Sequence, residues 1–113
     1  MSRQWIGVDF DRTLAYFDEW RGASHAGQPI PLMVRRVKDW LASRQLVKIF
    51  TARADETQED YAENIKTIQE WCFHVFGEIL EITNKKDKFM IQLWDDKAIQ
   101  IIENTGYRID GGV

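Results

Sequence analysis

Two aspartates one residue apart, Asp9 and Asp11, with Thr13 two further on, stand at the end of the apolar run Trp5-Ile6-Gly7-Val8. A run of that length reads as a core strand, and in open α/β sheets ligands bind just beyond the carboxyl ends of strands. Two carboxylates this close repel unless a cation, a shared proton or solvent relieves them. An Asx-turn after a strand would explain the pair equally well. The chemistry therefore depends on what else joins it.

Three groups do. The second apolar run, Leu46-Val47-Lys48-Ile49-Phe50, ends in the hydroxyl of Thr51 and is followed by Ala52 and Arg53. A third, Ile91-Gln92-Leu93-Trp94, ends in Asp95 and Asp96, and the basic segment Lys85-Lys86-Asp87-Lys88 lies just before it. A strand-end DxDxT, a strand-end threonine, a lysine and a strand-end acidic pair, in this order, resemble the four motifs of the haloacid dehalogenase-like (HAD) phosphohydrolase superfamily. The resemblance covers essentially the whole chain. A weaker similarity, to the 3′-phosphatase domains of polynucleotide kinases, rests on the DxDxT and on the threonine-x-arginine at 51 to 53.

What the resemblance implies is a phosphatase that forms an aspartyl phosphate. Asp9 would be the nucleophile. Asp11 would protonate the leaving group and then activate the hydrolytic water, and its backbone carbonyl would help to hold the metal. Thr51 and one lysine would hold the phosphoryl oxygens, one by hydroxyl and the other by charge. Lys86 is favoured for its place at a turn, with Lys85 and Lys88 as alternatives. Asp9, Asp11, Asp95 and Asp96 would bind Mg²⁺, a hard ion that prefers oxygen ligands. Which of Asp95 and Asp96 binds directly stays open. The ion belongs to the mechanism, because a carboxylate must otherwise attack a phosphate dianion across unscreened repulsion.

The chain departs from that pattern at Arg12, where the family often has glycine. Either a left-handed backbone strains the arginine, or its guanidinium reaches the substrate. Thr13, Arg53 and Lys97 are further candidate substrate contacts. His25 and His74 have no ligand cluster around them, which argues against zinc. Tyr16, Phe17 and Trp20 are expected to fold their loop onto the core rather than to stack on a base.

The elements that must position these residues follow from pattern. The first strand spans about residues 5 to 9, and residues 14 to 30, with Gly22, Gly27 and Pro29, read as loop. Pro31 opens a helix to Ser43 with Met33, Val37, Trp40 and Leu41 on one face. Asp55 and Gln58 have capping-box spacing and predict a second helix to Phe76, closed by Gly77. Glu78 to Thr83 alternates as an edge strand. Residues 91 to 95 and 98 to 102 read as strands four and five, with a turn or two of helix around Lys86 to Met90. The expectation is a three-layer, Rossmann-like, HAD-like α/β domain with a mainly parallel five-stranded sheet and helices on both faces.

The 113 residues are 44% hydrophobic, which suits one domain with one core. A formal charge of −3 leans against a broad electrostatic grip on nucleic acid. No apolar run approaches the roughly 20 residues that cross a bilayer. The single cysteine, Cys72, excludes an internal disulfide, reads as a packing residue and suits a cytoplasmic location.

Residues 14 to 30 leave room for a flap but not for the cap domain of many HAD members. The expected site is open. It would accept a phosphorylated small molecule or a nucleic-acid end, or be shielded by a second copy in a homo-oligomer. A phosphate-accepting, receiver-like regulatory domain is the alternative from another class. Its acceptor aspartate would sit on a central strand apart from the first acidic pair, whereas the corresponding strand here ends in Thr51.

Overall fold

The computed structural model describes residues 3–113. Its elements run β1 (Trp5–Val8), α1 (Pro31–Ala42), β2 (Leu46–Phe50), a 3-10 turn (Ala52–Ala54), α2 (Tyr61–Phe76), β3 (Glu81–Thr83) and β4 (Met90–Trp94). The four strands form one sheet in the order β3-β2-β1-β4, and every pairing is parallel.

Strand registers assign the two faces. Ile6 pairs with Val47 and Val8 with Ile49, so these four side chains share one face of the pleat. Met33, Val34 and Val37 of α1 and Ile68 and Cys72 of α2 join them in a single buried cluster. Full burial of a side chain such as Val8, Ile49 or Ile68 contributes about 1.5–3 kcal/mol. Both helices therefore cover the same face, and the expected helix on each face is not found among the described residues. The reason is topological. The steps from β1 to β2 and from β2 to β3 run in one direction across the sheet, and right-handed crossovers in one direction lie on one side.

The opposite face carries Trp5, Gly7 and Lys48. The return connection from β3 to β4 packs there: the Trp5 indole donates to Asp87 at 2.8 Å. Lys48 Nζ lies 3.0 Å from Glu81 and 4.5 Å from the centre of the Trp5 ring. No helix forms in this connection. Asp87 instead accepts from the Phe89 amide through its side chain, and from the Met90 amide through its carbonyl. Such Asx-type bonding offers the backbone an alternative to a helical turn.

The helices start and stop for local reasons. Pro31 occupies the first turn of α1, where its missing N–H costs nothing. Gly77 ends α2 with φ +78, in the left-handed region. The start of α2 is later than the capping-box spacing predicts. The Asp55 carboxylate accepts from both the amide and the hydroxyl of Thr57, and turns carry the chain to Tyr61. Gln58 reaches Asp55 only within that turn, at 3.4 Å.

Among the described residues the sheet has four strands, not five. Residues 98 to 102 make one isolated antiparallel bridge, Ile101 to Arg108, around a turn in which Asn104 and Gly106 have positive φ. Ile99, Ile101 and Ile102 remain about half exposed. An alternating apolar pattern becomes a sheet strand only where a ladder partner and a facing layer exist, and this segment has neither. Cys72 is fully buried, and burial pushes its thiol up to about 11; it packs, as its helical position predicts. No helix among the described residues is long and apolar enough to cross a membrane.

Candidate functional site

The site forms where β1, β2 and β4 end side by side. Val8 pairs with Trp94, and the Asp9 amide continues the ladder by donating to the Trp94 carbonyl at 2.9 Å. The next residue on each strand is an aspartate, so the register brings Asp9 beside Asp95. Asp96 follows it. A carboxylate oxygen from each of the three lies within 4.8 Å of the others.

The electrostatics record this crowding. Burial, the hydrogen bond shared with Asp96 and the charges of Asp95, Asp96 and Asp11 together raise the Asp9 carboxyl from 3.8 to about 7. For Asp96, burial acts upward, but hydrogen bonds from Asp9, its own backbone and Asp95, with the charge of Lys97, hold it below the usual range. A divalent cation would relieve the same crowding without a shared proton. The donors are carboxylate oxygens only, the type of ligand that hard divalent ions prefer. The residues present can therefore hold such a metal.

A cavity of about 250 Å³ opens over this cluster, lined by Asp9, Asp11, Arg12, Phe17, Thr51, Ala52, Asp95, Asp96 and Lys97. Thr51 is 3% exposed and accepts from the Arg53 amide at 3.1 Å, which leaves its own hydroxyl proton to donate. Thr13 is buried away from this cavity; its hydroxyl lies 3.4 Å from Asp9 Oδ2 and helps to fix that carboxylate. Lys97, next to Asp96, is the lysine on the cavity wall. Lys86 lines a neighbouring depression that shares Asp95, so the structure does not bring it over Asp9.

Arg12 has φ +73 and its amide donates to the Ala15 carbonyl at 2.8 Å. The two expectations for this residue prove compatible. The backbone is in the region that strains a residue with a Cβ, and Arg12 lines the cavity with its guanidinium carbon 5.0 Å from the centre of the Phe17 ring.

Arg53 is elsewhere. It is 7% exposed and does not line the cavity. Its Nε and Nη2 bond the two oxygens of Asp11 at 2.8 and 2.9 Å, and its Nη1 donates to the His25 carbonyl at 2.8 Å. Asp11 thus sends its carboxylate to a guanidinium while Asp9 turns to Asp95 and Asp96. The DxDxT spacing does not reveal this division, because it depends on a residue from the end of β2.

Residues 14 to 30 form an anchored flap over one side of the site. Tyr16 and Gly27 approach so closely that a Cβ on Gly27 would lie 1.8 Å from the Tyr16 carbonyl oxygen. The Trp71 indole of α2 holds the Gly27 carbonyl at 2.9 Å. The expected folding of Tyr16, Phe17 and Trp20 onto the core is only partly seen. Tyr16 and Trp20 are exposed, and buried Leu14, Ala15 and Ala23 pin the segment instead. Phe17 lines the cavity beneath Arg12, a place that only the folded flap defines. Ala52 also lines the cavity, and nothing in its type signals this.

No family model, curated protein or solved structure matches this chain.

Proposed function

We propose that the chain is a Mg²⁺-dependent phosphomonoester hydrolase that works through an aspartyl phosphate on Asp9. The observation that carries this is the convergence of Asp9, Asp95 and Asp96 within 4.8 Å at adjoining strand ends, in one cavity with Thr51, Arg12 and Lys97. Carboxylates, a buried hydroxyl and two cations are the groups that phosphoryl transfer uses, since the reaction needs positioning and charge neutralisation above all.

Asp9, Asp95 and Asp96 would hold the Mg²⁺, with the Asp11 carbonyl. When bound, the ion supplies the charge neutralisation that lets a carboxylate approach a phosphate dianion. Asp9 attacks phosphorus as the bond to the leaving oxygen breaks. Asp11 exchanges the proton, giving it to the leaving oxygen and then taking one from water. Thr51 donates to a phosphoryl oxygen, and Arg12 and Lys97 face the substrate's charge. Lys86, one depression away, remains a candidate that substitution must separate from Lys97. The fold reading that goes with this function is HAD-like. The flap over the site is short, which suits a phosphorylated small molecule or a terminal nucleic-acid phosphate, and a second copy could shield the opening.

Hydrolysis of an aryl phosphomonoester, with and without Mg²⁺, by the native chain and by Asp9→Asn tests the reading. Metal-dependent turnover that vanishes in the variant is the expected result. A stable phosphoryl adduct without turnover points instead to a receiver-like domain, and an inert native chain removes the phosphatase reading.

A further inference from the structure

Arg53 has a distribution of contacts that a substrate-binding arginine does not need. Both oxygens of Asp11 are engaged by one guanidinium in a planar fork, at 2.8 and 2.9 Å. A third donor of the same group is spent on the His25 carbonyl of the flap. The guanidinium carbon lies 5.5 Å from the Phe10 ring centre and 4.9 Å from that of Trp20. With its side chain 5% exposed and absent from the cavity wall, Arg53 has no free face for a phosphate oxygen. A bidentate pair fixes the orientation of a carboxylate as well as its charge, and rings around the guanidinium fix the arginine in turn.

We propose that Arg53 is a positioning residue: it holds the Asp11 carboxylate where it can accept a proton from water attacking the phosphorylated Asp9, and ties the 14–30 flap to that carboxylate. This rests on the phosphatase reading above. In the step concerned, the water oxygen bonds phosphorus while the bond from phosphorus to Asp9 Oδ breaks. One water proton passes to Asp11 and replaces the one it gave to the leaving oxygen, leaving inorganic phosphate and a free Asp9 carboxylate. A misplaced Asp11 slows this second half-reaction and lets phosphorylated Asp9 accumulate.

Pre-steady-state hydrolysis of p-nitrophenyl phosphate with Mg²⁺ separates the roles. The native chain sets the baseline, Asp11→Asn gives the pattern of a lost base, and Arg53→Gln and Arg53→Lys are the tests. Both Arg53 variants should release a burst of about one nitrophenolate per chain, followed by steady-state turnover reduced about 10²-fold, the scale of general-base contributions. KM should fall or stay constant, and acid quenching should recover the phosphorylated chain. Trp20→Ala, a substitution at a flap position 52% exposed, should show a weaker form of the same burst even if the Arg53 variants do not fold. A raised KM without a burst would make Arg53 a substrate contact and overturn the proposal. Uniform loss without phosphorylated chain, or unaltered kinetics in Trp20→Ala, would also overturn it. An inert native chain removes the phosphatase reading and this proposal together, whereas an active native chain with burst-free variants removes this one alone.

Discussion

Val8 of β1 and Trp94 of β4 are register partners, and each is followed by an aspartate that the ladder sets beside the other. Removing either carboxylate should weaken the metal site while the strands stay paired. Asp95→Asn and Asp96→Asn are each expected to lower Mg²⁺ affinity at least about tenfold, the scale of a charged hydrogen-bond or ligand loss of ~1.5–3 kcal/mol. Asp11→Asn should change affinity little, because its carboxylate is committed to Arg53 and its backbone carbonyl is retained. Calorimetric titration with Mg²⁺ measures all three; a loss in Asp11→Asn equal to that in Asp95→Asn would contradict the division of roles.

The raised Asp9 carboxyl gives metal-free stability a definite pH dependence. Between 3.8 and about 7 the folded chain keeps a proton on Asp9 that the unfolded chain has released. Folding is then favoured by proton uptake, so this contribution is complete below 3.8 and is lost as pH rises through about 7. In EDTA, urea midpoints should fall from pH 5 to pH 8. Asp9→Asn should flatten that fall and stabilise the metal-free chain at pH 8. Added Mg²⁺ should stabilise the native chain more at pH 8 than at pH 5, since it binds the ionised carboxylates. A midpoint that rises across this window in EDTA would count against the shared proton.

Lys97 and Lys86 occupy different depressions that meet at Asp95. If phosphate charge is met on the cavity wall over Asp9, Lys97→Ala should raise KM or lower kcat/KM by about 10- to 100-fold, as expected for loss of a charge-assisted bond of ~1.5–3 kcal/mol. Lys86→Ala should cost less than about threefold. The reverse order would show that the 84–89 connection closes over Asp9 when substrate binds.

Arg12 combines a φ of +73 with a place on the cavity wall, and two substitutions separate these. Arg12→Gly relieves a left-handed backbone that costs a residue with a Cβ roughly 1–2 kcal/mol. Glycine's greater chain entropy offsets about 0.5–1 kcal/mol of that. Arg12→Gly should therefore be up to about 1.5 kcal/mol more stable than Arg12→Ala in urea unfolding. Both variants should lose substrate affinity to the same extent. Equal stability would mean that glycine's entropy cost fully offsets the strain at this position.

Much of the frame is legible from residues close in sequence. The apolar runs at 5–8, 46–50 and 91–94, the proline at 31 and the glycine at 77 carry their meaning locally, and strands and helices form where they indicate. The start of the second helix is not legible, because Asp55 has a competing bond to Thr57 only two residues away, and sequence spacing alone does not rank a turn against a cap. The fate of segment 98–102 is not legible either, because alternation describes a surface without saying whether anything covers it. Alternating elements suggest helices on both faces, whereas the strand order puts both crossovers on one side.

The sequence by itself determined which residues stand at strand ends, since a short apolar run followed by Asp9, Thr51 or Asp95 fixes where the chain leaves the sheet. It also determined the donor types available there, all oxygen, with cations nearby. Only the tertiary structure decided how those residues divide. The β1–β4 register joined Asp9 to Asp95 and Asp96, and the end of β2 brought a buried guanidinium to Asp11. Packing put Arg12 and Lys97, rather than Arg53 and Lys86, on the wall of the cavity. These outcomes depend on contacts between segments tens of residues apart, and a charged side chain has the same local signature whether it ends in a buried ion pair, on a cavity wall or in water.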